Sequence, residues 1–293
     1  MIEIKSDAAI DSMREAGRVV ATALAAVRRE AAVGVSLAEL DEVAHGVLRE
    51  AGARSPFLNY HPPFAPTPFP AVICASVNDV IVHGIPDGYR LADGDLVSID
   101  FGAELDGWTG DSAISFIVGT PDPADEKLIA ATEESLAAGI AAAAEGARLG
   151  DISHAIGTMA RGAGYGVPAG FGGHGIGRHM HEDPHVPNEG RAGRGMRLRP
   201  GLVLAIEPML MAGGGSSYDV APDGWALTTV DGTRAAHAEH TVAITKDGPR
   251  VVSPGLFTGA AVAIGALTTL VFGVVPGPLL NLANHAANHM FVR

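Results

Sequence analysis

Two aspartates stand where an apolar sheet should have none. Asp100 closes the run Leu96-Val97-Ser98-Ile99, and Asp111 lies just ahead of Ala113-Ile114-Ser115-Phe116-Ile117-Val118. Between them, Asp106-Gly107 is a two-residue hairpin turn of the favoured kind. That turn sets Leu105 opposite Trp108 and Asp100 opposite Ala113. Asp111, two residues from Ala113, then shares a face with Asp100. Unpaired carboxylates on a buried face repel each other and cost several kcal/mol. An arginine or a metal ion could offset that, and no Lys or Arg lies between Asp95 and Lys127. The plainer reading, two strand-end aspartates in solvent, fits poorly with the apolar runs around them.

Further acidic and imidazole residues sit in similar settings. Gly172-Gly173-His174-Gly175 flanks a histidine with glycines, which allows close approach to the backbone. Glu207 ends the apolar segment Leu204-Ala205-Ile206, and Glu239 opens His240-Thr241-Val242-Ala243-Ile244. Each alone is more often structural. Together, two Asp, two Glu and one His form an oxygen-rich set suited to two adjacent divalent ions, unlike a lone structural zinc. Such ions lower the pKa of water and polarise a carbonyl. His181-Glu182-Asp183-Pro184-His185 matches HExxH literally, but that motif requires a helix, and Pro184 argues against one. His181 alone could serve as a proton donor or carbonyl contact.

The chain is long enough for one large domain or two small ones, and 47% hydrophobic residues allow a substantial core. A net charge of -13 argues against nucleic acid as the main partner. The single cysteine, Cys74, excludes an internal disulfide or cysteine cluster and suits a reducing compartment, hence the cytoplasm. The start of the chain lacks the pattern of a signal peptide.

Periodicity and capping signals predict helices over 6–30, 36–50, 123–145 and 151–162, the second opened by the capping box Ser36-Leu37-Ala38-Glu39. Strands are expected near 72–76, 80–83, 96–102, 108–118, 180–186, 202–211, 225–230 and 237–245. Five prolines make Tyr60 to Pro70 a loop. Helices, strands, helices, strands is an α+β order. An internal echo supports two halves built alike: Gly94 precedes Asp100 by six positions, as Gly201 precedes Glu207.

The C-terminus differs in character. Phe257 to Val275 is 19 residues long and almost wholly apolar, enough to cross a bilayer core of about 30 Å. A single membrane-spanning anchor and a buried helix or fused extension both remain open. Leu270 to Asn281 resembles the end of antiporter-like subunits of NADH-quinone oxidoreductase, as a fusion would.

From Ile4 to Pro254 the chain resembles the type I methionine aminopeptidases. The resemblance rests on Ser76-Val77-Asn78-Asp79-Val80-Ile81-Val82-His83-Gly84-Ile85-Pro86, Asp100-Phe101-Gly102 with Gly110-Asp111, Gly173-His174-Gly175-Ile176-Gly177, Ile206-Glu207-Pro208-Met209 and Glu239-His240-Thr241. It implies the pita-bread fold, two pseudo-symmetric αβ halves around a central antiparallel sheet, in a catalytic domain over 1–254. It implies that two divalent ions (Co, Mn, Fe or Zn) are held by Asp100, Asp111, His174, Glu207 and Glu239, with Asp111 and Glu239 bridging. Glu207 resembles the family's general base, with His83 and His181 contacting the scissile amide. Tyr60, Phe69, Cys74, His83, Met180, His181 and Trp225 are the implied substrate contacts. The partners implied are nascent polypeptide N-termini emerging from the ribosome, with the enzyme a monomer.

The chain also departs from the family pattern. The Tyr60–Pro70 loop is longer and richer in proline than usual, Met180 replaces a common aromatic residue, and the tail has no counterpart. Prolidase and aminopeptidase P types share the ligands but carry a large N-terminal domain, for which the 99 residues before Asp100 are too few. The 31 residues between Glu207 and Glu239 leave no room for a type II insertion. A non-catalytic pita-bread binding protein would typically lack some of the five ligands.

Overall fold

The computed structural model describes residues 2–253. The expectation of a membrane span at 257–275 lies outside the described residues. Within them, no helix is long and apolar enough to cross a membrane.

Helix α1 (Asp7–Glu30) begins where the Ser6 hydroxyl accepts the N–H of Ala9. Helix α2 (Leu37–Ala51) starts with the reciprocal Ser36/Glu39 box and ends at Gly52, left-handed at φ 64°. Strands β1 (Ile73–Val77) and β2 (Val80–Val82) precede the long hairpin β3 (Leu96–Leu105) and β4 (Trp108–Ile117). Helices α3 (Pro123–Ala142) and α4 (Leu149–Gly162) open the second half. There follow β5 (Gly172–Gly175), β6 (Glu182–Pro187), β7 (Val203–Ile206), β8 (Met209–Met211), β9 (Tyr218–Val220), β10 (Leu227–Thr229), β11 (Ala235–His237), β12 (Glu239–Thr245) and β13 (Gly248–Val251).

The main sheet runs β1-β3-β4-β12-β7-β5-β6, with β13 also paired to β12, and every pairing is antiparallel. One face carries the helices. Val97, Ile99 and Phe101 of β3 pack with Val20, Leu24 and Leu40 of α1 and α2. Leu204, Ile206, Val242 and Ile244 pack with Ile140, Ile152 and Ile156 of α3 and α4. These are alternate strand positions, so the residues between them face the opposite side.

Several elements differ from the sequence expectation, each for a local reason. Residues 202–211 form two strands, not one, because Pro208 has no N–H for the ladder. The helix expected to reach Glu145 stops at Ala142, and Gly146 turns left-handed while its N–H bonds Leu198. His237 and Glu239 fall in separate strands. β5, β9 and β13 were not foreseen. Glycine-rich Gly172–Gly175 carries no strand signal, yet a Cβ at Gly173 would lie 2.0 Å from the Ala205 carbonyl oxygen. Only glycine lets β5 come that close to β7.

The two halves meet where β4 pairs with β12 over only two residue pairs, Glu239↔Ala113 and His240↔Ser112. Thr241 reinforces this join: its hydroxyl accepts the Asp111 N–H at 2.9 Å and donates to the Asp111 carbonyl at 2.8 Å. Thr241 is fully buried. Thr241→Val should therefore lower the unfolding free energy by about 1–3 kcal/mol, measured by urea denaturation. An unchanged midpoint and slope would show that the hydroxyl carries no weight.

Candidate metal centre

The sheet register decides which side chains meet. In antiparallel pairs, residues directly opposite project to the same side. Cys74 lies opposite Asp100, Asp100 opposite Ala113, and Ala113 opposite Glu239. One row across four strands thus holds Cys74, Asp100 and Glu239, with a small alanine between the two acids. Asp111 is two residues before Ala113, on the same face. The neighbouring row holds Thr241, Ala205 and His174. Glu207, two residues after Ala205 and just past β7, continues that side. All five candidate ligands therefore face away from the helices.

They also come close. His174 Nε2 is 4.0 Å from Asp111 Oδ2 and 3.6 Å from Glu207 Oε1. Ligand atoms of Asp111, His174 and Glu239 lie within 4.8 Å of one another, as do those of Glu207, His237 and Glu239. The His174 Nδ1–H donates to the Gly175 carbonyl at 2.9 Å, which leaves the Nε2 lone pair facing the carboxylates.

His237 was not anticipated. It is 2% exposed, and its Nε2 stands 3.7 Å from Glu207 Oε2, so two imidazoles flank one carboxylate. The Ser115 hydroxyl fixes its backbone, bonding both its N–H and its carbonyl. The available signal was its spacing of two from Glu239, which puts both on one side of an extended chain.

A cation suits this donor set. Asp100 Oδ1, Asp111 Oδ1, Glu239 Oε1 and His237 Nε2 are buried without a hydrogen-bond partner. Among the described residues, no lysine or arginine pairs with the four acids. Burial raises Asp100, Glu207 and Glu239 well above the usual carboxylate range, and the neighbouring acids add to the effect. Asp111 is pushed up to about 7, chiefly by burial. Burial lowers His174 and His237 to about 3, so both imidazoles are neutral at neutral pH. Neutral imidazoles and crowded carboxylates are ligands awaiting positive charge.

Beside them lies an apolar cluster. Phe69, Cys74, Met180 and Trp225 belong to one buried cluster. The Trp225 ring lies edge-on to Phe69 at 5.1 Å and to His83 at 6.5 Å, and its Nε1–H ties the proline-rich loop through Thr67 at 3.0 Å. His83 has φ 62°, uncommon for a non-glycine residue and typical of functional sites. Tyr60 is at the rim, 37% exposed, stacked on His181 at 5.0 Å. His181 in turn lies 4.4 Å from the His174 ring. Burial pushes the Cys74 thiol well up, and the nearby acids add to the effect, so the thiolate form is disfavoured. The HExxH string is no helix: Glu182–Pro187 is β6.

The profile of metallopeptidase family M24 matches residues 11–246. The chain is 55% identical to methionine aminopeptidase 1 of Mycobacterium tuberculosis over 258 residues, covering 86% of this chain and 94% of that one. It is 44% identical to methionine aminopeptidase 1 of Bacillus subtilis, covering 85% and 97%. The structure of methionine aminopeptidase from Thermotoga maritima superposes with a TM-score of 0.82 at 38% identity, covering 86% and 99%. The prolidase of Pyrococcus horikoshii, at 22% identity, has a TM-score of 0.69 and shares the fold. The architecture is the pita-bread fold.

Raised carboxyl pKa values mean that the cluster holds protons near neutrality and must release them to a cation. Lowered histidine values mean that the imidazoles do not compete there. Affinity for Mn(II) should therefore rise from about pH 6 to about pH 8, with proton release. Calorimetric titration in two buffers of different ionisation enthalpy measures both, and an affinity indifferent to pH would count against the cluster as the binding site.

Proposed function

The chain belongs to metallopeptidase family M24, within its methionine aminopeptidases, and from that premise we propose that it removes the N-terminal methionine of newly made polypeptides. What carries the reading is one buried face of a sheet that gathers unpaired carboxylates and neutral imidazoles beside a buried cluster of aromatic and sulfur-bearing side chains.

Asp100, Asp111, His174, Glu207 and Glu239 would hold two divalent ions. Mn, Fe, Co and Zn all suit such a mixed carboxylate and imidazole set. Bound there, the ions would acidify water and polarise the scissile carbonyl.

The chain's own residues supply the rest. Glu207, flanked by His174 and His237, takes the proton of the attacking water and delivers it to the leaving amine. His181, at the rim against the His174 ring, donates toward the developing oxyanion, and His83 faces the same amide from the Trp225 side. The methionine side chain enters between Phe69, Cys74, His83, Met180 and Trp225, where sulfur meets aromatic edges. Tyr60 closes the entrance. The acid-rich floor attracts a free α-ammonium group, which restricts cleavage to the first residue. Catalysis is assigned to residues 1–254, acting in the cytoplasm on nascent N-termini as a monomer.

Two rival readings are weaker. The dipeptidase-like neighbours share the fold at low identity, whereas the aminopeptidase relatives match nearly end to end. A non-catalytic binding protein would have no need to keep four buried carboxylates in mutual repulsion.

Three outcomes test the reading. Chelator-treated protein should not release methionine from Met-Ala-Ser until a divalent ion returns. Met-Leu-Ser should be cleaved far more slowly, and equal rates on the two peptides would refute the small-second-residue preference. His181→Ala should lower kcat by about 10²-fold while the Mn(II) affinity stays as in the parent.

A further inference from the structure

We propose that Lys5 and Glu182 are positioning residues for His181: a buried ion pair through which the N-terminal segment sets the loop that carries this histidine. The inference rests on the role given to His181 above.

Among the described residues, the His181 ring has no hydrogen-bond partner. Its direction comes from stacking on Tyr60, from a tilted contact with the His174 ring, and from its peptide link to Glu182. Glu182 is firmly held. Its Oε1 accepts the backbone N–H groups of Arg178 at 2.9 Å and His179 at 3.1 Å, so the loop folds back on this carboxylate. Its Oε2 accepts from Lys5 Nζ. The side chains are 2% exposed for Lys5 and 13% for Glu182. Burial alone would raise the Glu182 carboxyl, but the bonds from Lys5 and the two N–H groups leave it lowered, so it is ionised at neutral pH.

Lys5 is fixed in turn. Its N–H donates to the Gly201 carbonyl at 2.7 Å, on the approach to β7, and the next residue, Ser6, caps α1. Its stem lies against the loop itself: a Cβ at Gly177 would fall 2.3 Å from Lys5 Cε. From the other side, the Thr109 N–H holds the Gly177 carbonyl at 2.8 Å, and the Arg178 guanidinium sits 4.3 Å over the Trp108 ring. The loop is therefore gripped between β4, which carries Asp111, and the N-terminal segment. A buried pair with good hydrogen bonds on both partners can fix geometry even where its net stabilisation is small. The glutamate of the literal HExxH string thus acts as an anchor for the preceding histidine and not as a base.

The test is a kinetic double-mutant cycle on the metal-loaded full chain, with Met-Ala-Ser as substrate. Lys5→Met should lower kcat by about tenfold or more, with Mn(II) affinity unchanged, and Lys5→Arg should restore most of the loss. In the His181→Ala background, Lys5→Met should cost less than about twofold, because the residue it positions is gone. If Lys5→Met leaves a lone buried charge that prevents folding, K5M/E182Q buries no unpaired ion and carries the same two expectations. An equal loss with and without His181, or no loss with it, overturns the positioning role alone. A His181→Ala enzyme as fast as the parent overturns the role of His181 and this inference together.

Discussion

Four carboxylates on one buried face cannot all be anions without positive charge among them. Two unit charges about 4 Å apart at an effective dielectric near 20 interact by roughly 4 kcal/mol, so the fully ionised group is strongly disfavoured unless a cation joins it. The fold imposes this arrangement instead of relieving it. Helices α1 to α4 cover the other face of the sheet, so the acids have no route to solvent on that side. The residues between the ligands in these rows, Ala113 and Ala205, are small. Thr241 ties β4 to β12 beside Asp111 through two hydrogen bonds.

The same repulsion shapes selectivity. A face that favours positive charge favours an α-ammonium group as well as a metal ion. Next to it, Phe69, Cys74, Met180 and Trp225 form a wall with no formal charge. The two requirements together describe a free chain terminus with an apolar first side chain. The positive φ of His83 and the stacking of the His181 ring on Tyr60 are the local constraints on the two imidazoles nearest that wall.

Parts of this were legible in the linear chain. The turn and register of the β3–β4 hairpin could be read, because Asp106-Gly107 and the two-residue strand period are local signals, and the register found sets Asp100 opposite Ala113 as the turn requires. The helix starts at Ser6 and Ser36 were legible for the same reason. His174 was recognisable as unusual, but its strand was not, since glycines carry no strand propensity and the closeness of Ala205 is a fact about a distant segment. The segment 202–211 looked continuous until Pro208 was weighed against a ladder that needs its N–H. The closeness of His237 to Glu207 is likewise a fact about separate segments, since Glu207 lies just past β7 and His237 ends β11.

The sequence by itself determined the chemistry available: which acids and imidazoles exist, that they sit among apolar neighbours, and that Asp100 and Asp111 share a face. Those conclusions need only bond geometry and turn preference, which act over a few residues. Tertiary structure alone decided that β12, the end of β7 and β11 bring Glu239, Glu207 and His237 together. It also decided that Lys5 reaches Glu182 across 177 residues of chain. Strand register between remote segments and the closing of a buried ion pair are set by the packing of the whole core. No local pattern encodes an energy that arises only when distant parts of the chain meet.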